Sequence, residues 1–415
     1  MEHSDMSSLQ ASTTGQPAAS DMPPGQRGTI AFHAGTLFTF YAASAAPTPL
    51  YRLYQELWGL SPMLVTLVFA VYAFSLLAAL LVVGSISDHV GRRPAIAVAL
   101  MLQVGAMALF AVAQDVTLLL AARIAQGLAT GAAASAIGAA LVDVSRTRGP
   151  LINALSPMLG MATGALVAGI LVSWAPAPLR LVYLVLLALN VVQLALLLTR
   201  VPETMARRPG ALNALWPRLR VPAGLGRQLL GVSPVNVAVW SLGGIFLSII
   251  PTLVSRVTGI TSPMLGAGVV CLLTFSAATS VFSNRGRPPM KVLAFGVGCL
   301  LPGLLILVLA VRTGSVPLLL LAPVIGGLGF GAIFQGSLNT LLPLVGPQDR
   351  AELLSIFYVE CYLSMSVPAI AAGALASRIG IVATVEIFAL VSGVMAGGGF
   401  LALWLGARRR QRCPG

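Results

Sequence analysis

The stretch Gly84-Ser85-Ile86-Ser87-Asp88-His89-Val90-Gly91-Arg92-Arg93-Pro94 separates two long apolar runs, 62–83 and 95–114. It is a short, doubly basic loop hinged by glycines, with one acid at its centre. A soluble protein has little use for such a loop between such runs. A membrane protein whose helices rock against one another does, because a tight charged hinge can lock one conformation and release it.

The composition around this loop sets the class. The chain has 415 residues, of which 57% are hydrophobic and 9% charged, against roughly 25% charged in soluble domains. Apolar runs recur at 30–49, 62–83, 95–114, 117–142, 151–173, 181–199, 232–254, 263–282, 292–311, 316–344, 353–376 and 381–405. Most are near the ~20 residues needed to cross a bilayer as a helix. The expected fold is an all-α integral membrane protein with twelve transmembrane helices in two six-helix bundles. Glycine and proline inside the runs are consistent with this, since lipid-embedded helices tolerate them.

The organisation follows from what separates the runs. Residues 1–28 are polar and rich in Ser, Pro and Gln, with no apolar core. They exclude a cleaved signal peptide and read as a disordered cytoplasmic tail. Residues 29–200 form an N-terminal bundle and 231–406 a C-terminal one. A polar central loop, 201–230, lies between them, and 407–415 is a basic tail. Parallel repeats of six helices place a substrate site between the halves near mid-membrane. A trace of the first hinge recurs after the eighth run as Ser283-Asn284-Arg285-Gly286-Arg287-Pro288, with Asn284 in place of the acid.

The net charge of +13 could suggest nucleic acid, but its distribution argues for topology. With the N-terminus inside, the inner connections hold Arg92, Arg93, Arg146, Arg148, Arg200, Arg207, Arg208, Arg218, Arg220, Arg227, Arg285, Arg287, Lys291 and Arg350, and the tail adds Arg408, Arg409, Arg410 and Arg412. The opposite face carries Arg52, Arg180, Arg256, Arg312 and Arg378. This bias expects a multi-pass protein of the cell (inner) membrane with both termini cytoplasmic, and no nucleic-acid partner. Cys271, Cys299, Cys361 and Cys413 show no paired spacing, so neither a disulfide nor a metal site is indicated, and no cofactor is expected.

At these residues the chain resembles the major facilitator superfamily, and within it the twelve-helix drug or metabolite:proton antiporter group. Gly84, Asp88, Gly91, Arg92 and Arg93 match its motif A. Arg123, Gln126, Gly127 and Gly131 match motif B. Gly160, Gly164 and Gly169 match part of the antiporter motif C, but Ala165 stands where that motif has proline and Ala168 where it has glycine. Val201-Pro202-Glu203-Thr204 is similar to the usual exit from helix 6.

The resemblance implies a gate in which Asp88 faces the start of helix 11 and Arg92 reaches Asp143 at the end of helix 4. Helix 11 begins Asp349-Arg350-Ala351-Glu352, which fits the Asp-x-x-Glu form of a capping box. The resemblance also implies a role in proton coupling for Arg123, the other reading being a side chain that snorkels outward near Asp115. An unpaired guanidinium inside hydrocarbon usually marks function. Glu360, inside helix 11, is either a proton carrier or a structural hydrogen-bond partner for a neighbouring helix. His33 reads as packed or headgroup-facing, and Glu386 as interfacial.

By the same resemblance, helices 1, 4, 7 and 10 line the cavity and offer Phe38, Phe40, Tyr41, Gln126, Trp240, Phe246, Phe330, Phe334, Gln335 and Asn339. Gly160, Gly164 and Gly169 are expected between helices 5 and 8. The implied protein is a monomeric secondary transporter, with a small-molecule substrate, protons and the lipid bilayer as its partners, exporting by proton exchange. Uptake by symport or facilitation, and a non-transporting sensor, are the alternatives. An enzyme is not expected, because no His-, Asp- or Glu-rich catalytic motif and no phosphate-binding glycine loop occurs.

Overall fold

The computed structural model describes residues 24–83, 86–205, 209, 221, 222, 224–346 and 349–412. It is all-helical, with no strand among the described residues. Among the described residues twelve long helices order the chain: α1 (Pro24–Ala45), α2 (Pro62–Val83), α3 (Arg92–Val112), α4 (Val116–Val144), α5 (Gly149–Trp174), α6 (Leu181–Arg200), α7 (Gly226–Ser248), α8 (Pro263–Ser283), α9 (Pro289–Thr313), α10 (Val316–Leu341), α11 (Arg350–Ile379) and α12 (Ile381–Arg412). Among the described residues, eleven of these, α2 to α12, are long and apolar enough to cross a membrane. The twelfth, α1, carries Gln26 and Arg27 in its first turn and packs against α4, α5 and α6.

Local chemistry sets many of the ends. Asp115 caps α4, its carboxylate accepting from Leu118 N at 2.8 Å, and Ser262 caps α8, accepting from Met264 N at 3.3 Å. Prolines open α8 and α9, where the missing N–H would have no helical partner. Pro157, Pro234, Pro302, Pro323 and Pro368 lie inside helices, as neighbouring helices in a bundle allow.

Several boundaries differ from the sequence reading. Helix α1 begins at Pro24, inside the stretch read as tail, and α12 continues to Arg412, into the stretch read as a C-terminal tail. Helix α7 starts at Gly226, inside the central loop, where 206–208, 210–220 and 223 lie outside the described residues. So do most of the N-terminal tail, Gly84 of the hinge and Cys413. The seventh run is broken: α7 ends at Ser248, and Ile250–Thr258 is a separate helix. A second short helix, Tyr51–Trp58, occupies the same place after α1.

The two halves repeat one packing scheme. Helix α1 packs on α4, α5 and α6, as α7 does on α10, α11 and α12. The pairs α2–α4, α3–α4 and α3–α6 recur as α8–α10, α9–α10 and α9–α12. The halves meet along α2–α11 and α5–α8. Small residues permit the closest approaches. A side chain at Gly160 or Gly164 would collide with the α1 backbone at Phe38 and Ala42, whereas one at Gly169 would collide with Ala267 of α8. The motif C glycines are therefore divided between two neighbours, and only Gly169 serves the α5–α8 contact expected of all three.

Candidate functional site

The hinge folds around Gly91. Its φ of 99° and ψ of 153° are a conformation open to glycine and few other residues. A glycine N-cap offers α3 no side-chain acceptor, and the acceptor comes instead from the exit of α6. The Glu203 carboxylate accepts from Arg92 N (2.8 Å) and Arg93 N (3.1 Å), and also from Thr204 N (3.0 Å) and Met205 N (3.2 Å). Negative charge at a helix N-terminus is favourable. A Cβ at Gly91 would lie 2.6 Å from Glu203 Oε2, so the glycine also makes room for this cap. Sequence reasoning registered Glu203 only as part of the helix 6 exit. Its position directly after a long apolar run, where unpaired amides of a neighbouring helix could meet it, was the available signal.

Arg92 is the centre of the charged network and only 6% exposed. Its Nη1 lies 2.6 Å from Asp88 Oδ1 and donates to Ser87 Oγ at 2.7 Å, while its Nε donates to Asp143 Oδ2 at 3.1 Å. Arg93 points the other way and donates to the carbonyls of Leu197 (3.1 Å) and Leu198, at the C-terminal end of α6. The structure thus brings together Asp88, Gly91, Arg92, Arg93 and Asp143, and ties the hinge, α3, α4 and α6 at one end of the N-terminal half. Among the described residues it pairs Asp88 with Arg92, one turn along, rather than with α11. Asp349 does not form the expected capping box. Its backbone is helical (φ −97°, ψ −5°), whereas capping by a side chain requires extended backbone, and it makes no side-chain cap bond.

At the other end of the N-terminal half, Arg123 is fully buried. Its Nη1 donates to Ser44 O (3.1 Å) and Gln126 Oε1 (2.7 Å), its Nη2 to the Tyr51 hydroxyl. The guanidinium lies 5.2 Å from the Tyr72 ring centroid, 5.5 Å from Tyr51 and 5.8 Å from Phe110. Among the described residues no carboxylate forms an ion pair with it. Burial pushes the Tyr51 phenol up against the opposing effect of Arg123, so that partner stays neutral. The snorkelling alternative fails, since the side chain is fully buried and its guanidinium is held by Ser44, Gln126 and Tyr51. Gln126 is corrected too. It is fully buried and donates from Nε2 to Ala43 O (2.8 Å), which makes it part of the arginine site rather than a cavity wall.

Glu360 lies in the other half and faces α7. Its Oε1 accepts from Asn236 Nδ2 at 2.8 Å, and its Oε2 lies 2.5 Å from Ser233 Oγ. Ser233 Oγ is also 2.9 Å from Leu229 O. One hydroxyl hydrogen cannot serve both acceptors at full strength. Glu386 pairs with Arg312 at 2.7 Å.

The aromatic cluster between α7, α10 and α11 is the largest group of expected cavity residues that comes together. The Trp240 ring lies 5.5 Å from Phe330, 5.8 Å from Phe334 and 5.7 Å from Tyr362. Tyr362 in turn faces Tyr41 of α1 across the two halves. Helix α11 thus contributes rings, Phe357, Tyr358 and Tyr362, that the assignment of cavity helices left out. Phe38 is half-buried on α1, about one turn before Tyr41. Gln335 and Asn339 do not share the Trp240 side of α10. At about 100° per residue they lie roughly 100° and 140° around from Phe334. Phe40 and Phe246 are buried in the cores of their own halves.

At the Tyr51 end, the two short helices join the halves directly. Arg52 donates to the Thr261 carbonyl and pairs with Glu56 at 2.6 Å, and Thr252 Oγ1 donates to Gln55 Oε1 at 2.8 Å.

Comparison with known proteins gives the same architecture. The family model described as Major Facilitator Superfamily matches residues 34–359. No curated protein sequence matches significantly. Among solved structures, a bacterial homologue of the human lysosomal transporter Spinster, in an inward-facing and unoccupied conformation, is similar with a TM-score of 0.72 and 14% identity, covering 92% of this chain and 98% of that one. The human organic anion transporter MFSD10 (TETRAN) gives 0.67 and 18%, covering 92% and 100%. The nucleoside transporter NupG gives 0.70 and 12%, covering 90% and 99%.

Proposed function

Because the chain belongs to the Major Facilitator Superfamily, we propose that it is a proton-coupled secondary transporter that exports a small organic compound, a drug or metabolite, by alternating access. It does so as a monomer in the cell (inner) membrane, with both termini in the cytoplasm. The observation that carries this reading is the placement of Glu360. It is a half-buried acid inside a membrane-spanning helix, held by two neutral donors of α7, with no cation on it among the ion pairs of the described residues. Such a group can take up and release a proton as its surroundings open and close.

In this scheme the Arg92 network holds one closed arrangement at the cytoplasmic end. Arg123 and Gln126 bind the carbonyls of Ser44 and Ala43 and so fix where α1 ends. The rings around Trp240 favour an aromatic or amphipathic substrate. Proton release from Glu360 would shift its hold on α7 and bias the rocking of the halves.

Uptake by symport or facilitation is the second reading, and Ala165 in place of the motif C proline favours it. The test uses proteoliposomes loaded with a pH-sensitive dye, an imposed proton gradient and a panel of cationic, neutral and anionic aromatic compounds. A compound-dependent proton flux that disappears in Glu360→Gln is expected. Flux that still follows the gradient in that variant would place the proton site elsewhere, and substrate flux without proton movement in the wild type would favour a facilitator.

A further inference from the structure

The core of the N-terminal half is not uniformly apolar. Along α3, the buried stripe Ile96, Leu100, Met107 and Phe110 is interrupted by Gln103, which is 0% exposed. Along α6, the buried face includes Asn190, also 0% exposed, and Gln193. Neither the amide nitrogen nor the amide oxygen of Gln103 or Asn190 has a partner among the described residues. Gln193 donates from Nε2 to Thr39 Oγ1 of α1 at 2.9 Å, but its Oε1 is unpartnered. Nearer the hinge on α1, Thr36 Oγ1 and both ring nitrogens of His33 are buried and unpartnered too.

These groups share one wedge. Helix α6 packs on both α3 and α1. Two bonds fix the register: Arg93 to the Leu197 carbonyl between α3 and α6, and Gln193 to Thr39 between α6 and α1. At about 1.5 Å per residue, Gln103 lies ~15 Å along α3 from Arg93, and Asn190 ~10 Å along α6 from Leu197, in the same direction. The Phe110 ring of α3 and the Tyr183 ring of α6 stack at 4.6 Å, and Gln103 and Asn190 each lie seven residues from that stack, about 10 Å, toward the hinge. The two orphan amides therefore arrive at one level, about a turn from the Gln193–Thr39 bond.

Buried polar groups are almost always hydrogen-bonded, and hydrocarbon offers no bulk solvent to satisfy them. What would satisfy these must both donate and accept, since each amide leaves both functions open. It must also be neutral, because the charged groups at the hinge end are already committed: Glu203 to four amides and Arg93 to two carbonyls. Water fits these requirements. We propose that the wedge between α1, α3 and α6 is a hydrated seam, in which bound water bridges Gln103 to Asn190 and continues toward Thr36 and His33. Water-bridged contacts can be remade after a small displacement, so the seam lets α1 tilt against the α3–α6 pair without losing its polar bonds.

The test is a high-resolution map of the wild-type protein in nanodiscs, together with millisecond hydroxyl-radical footprinting, which modifies buried side chains that lie beside bound water. The map should show discrete density within hydrogen-bond distance of both Gln103 and Asn190. Leu100 and Leu197, both 0% exposed, should be labelled several-fold more than the equally buried Leu253 and Leu300 of the other half, and the excess should vanish in Gln103→Leu/Asn190→Leu. A direct Gln103–Asn190 bond in the map, an empty wedge, or labelling of Leu100 and Leu197 no higher than that of Leu253 and Leu300 would each overturn the proposal. The wild-type comparison stands even where the double variant does not fold.

Discussion

The loop after α2 and the loop after α8 hold equivalent places in the two halves, yet they are held together differently. The first is a charged network that reaches across helices: Arg92 to Asp88 and Asp143, Glu203 to the start of α3, Arg93 to the end of α6. The second is local and, among the described residues, has no ion pair. Asn284 donates from Nδ2 to Ser280 O at 2.9 Å and accepts from Arg287 Nη1 at 3.2 Å, and Arg285 stacks 3.8 Å from the Phe282 ring centroid. The amide of Asn284 does what a carboxylate could not, because it donates to a helix carbonyl. One half therefore carries a charged network between helices, and the other carries a plain turn.

The largest expected effect is at Gly91. Alanine there must adopt a backbone conformation that costs about 1–3 kcal/mol for a side chain and must displace the Glu203 carboxylate as well. Gly91→Ala should sharply lower thermal stability and transport, whereas Gly286→Ala, with open space around it, should pay only the cost of its positive φ. Equal losses in the two variants would remove the asymmetry.

Next is Glu203→Ala, which leaves the first amides of α3 without their cap. A loss of about 1–2 kcal/mol, typical of a lost N-cap, is expected, read as a lower melting temperature in detergent. Asp143→Asn should cost less, about 1 kcal/mol or below, because the Asp143 side chain is 29% exposed. It should show mainly in transport rate, and a wild-type rate in that variant would detach the network from gating. The smallest effect should come from the second loop. Arg287→Ala should leave transport near the wild-type rate, and Asn284→Asp should destabilise slightly rather than create a second lock, since it loses the donor to Ser280 O. A rate change in Asn284→Asp as large as that in Asp143→Asn would show that the second loop gates too.

Much of this was legible in the chain. Twelve apolar runs gave twelve long helices among the described residues, and the resemblance at the hinge implied the contact of Arg92 with Asp143, whereas Asp88, expected at the start of helix 11, pairs with Arg92. The cap from Glu203 was not legible, because it depends on the exit of α6 meeting the start of α3, some 110 residues earlier. The short helix Tyr51–Trp58 escaped because eight amphipathic residues register neither as a membrane span nor as a polar loop, and the first half of Ile250–Thr258 was absorbed into the seventh apolar run. The cavity residues were placed by helix number, and a helix number does not fix rotation. Trp240 and Phe334 meet, while Gln335, one residue on, turns away. Gln126 lies on a lining helix, but Arg123, one turn before it, draws it into the arginine site.

The central claim, that two rigid halves rock while the Arg92 network weights one arrangement, is tested most directly by spin-label distances. Labels at the exposed Thr147 and Ser283 report across the halves at the end that bears the network, and a second pair, Thr147 with Thr199, reports within one half. The account predicts two distance populations across the halves whose ratio shifts in Asp143→Asn, with a single unchanged distance within the half. A single cross-half distance that Asp143→Asn leaves unmoved, or a shift confined to the pair within the half, would contradict it.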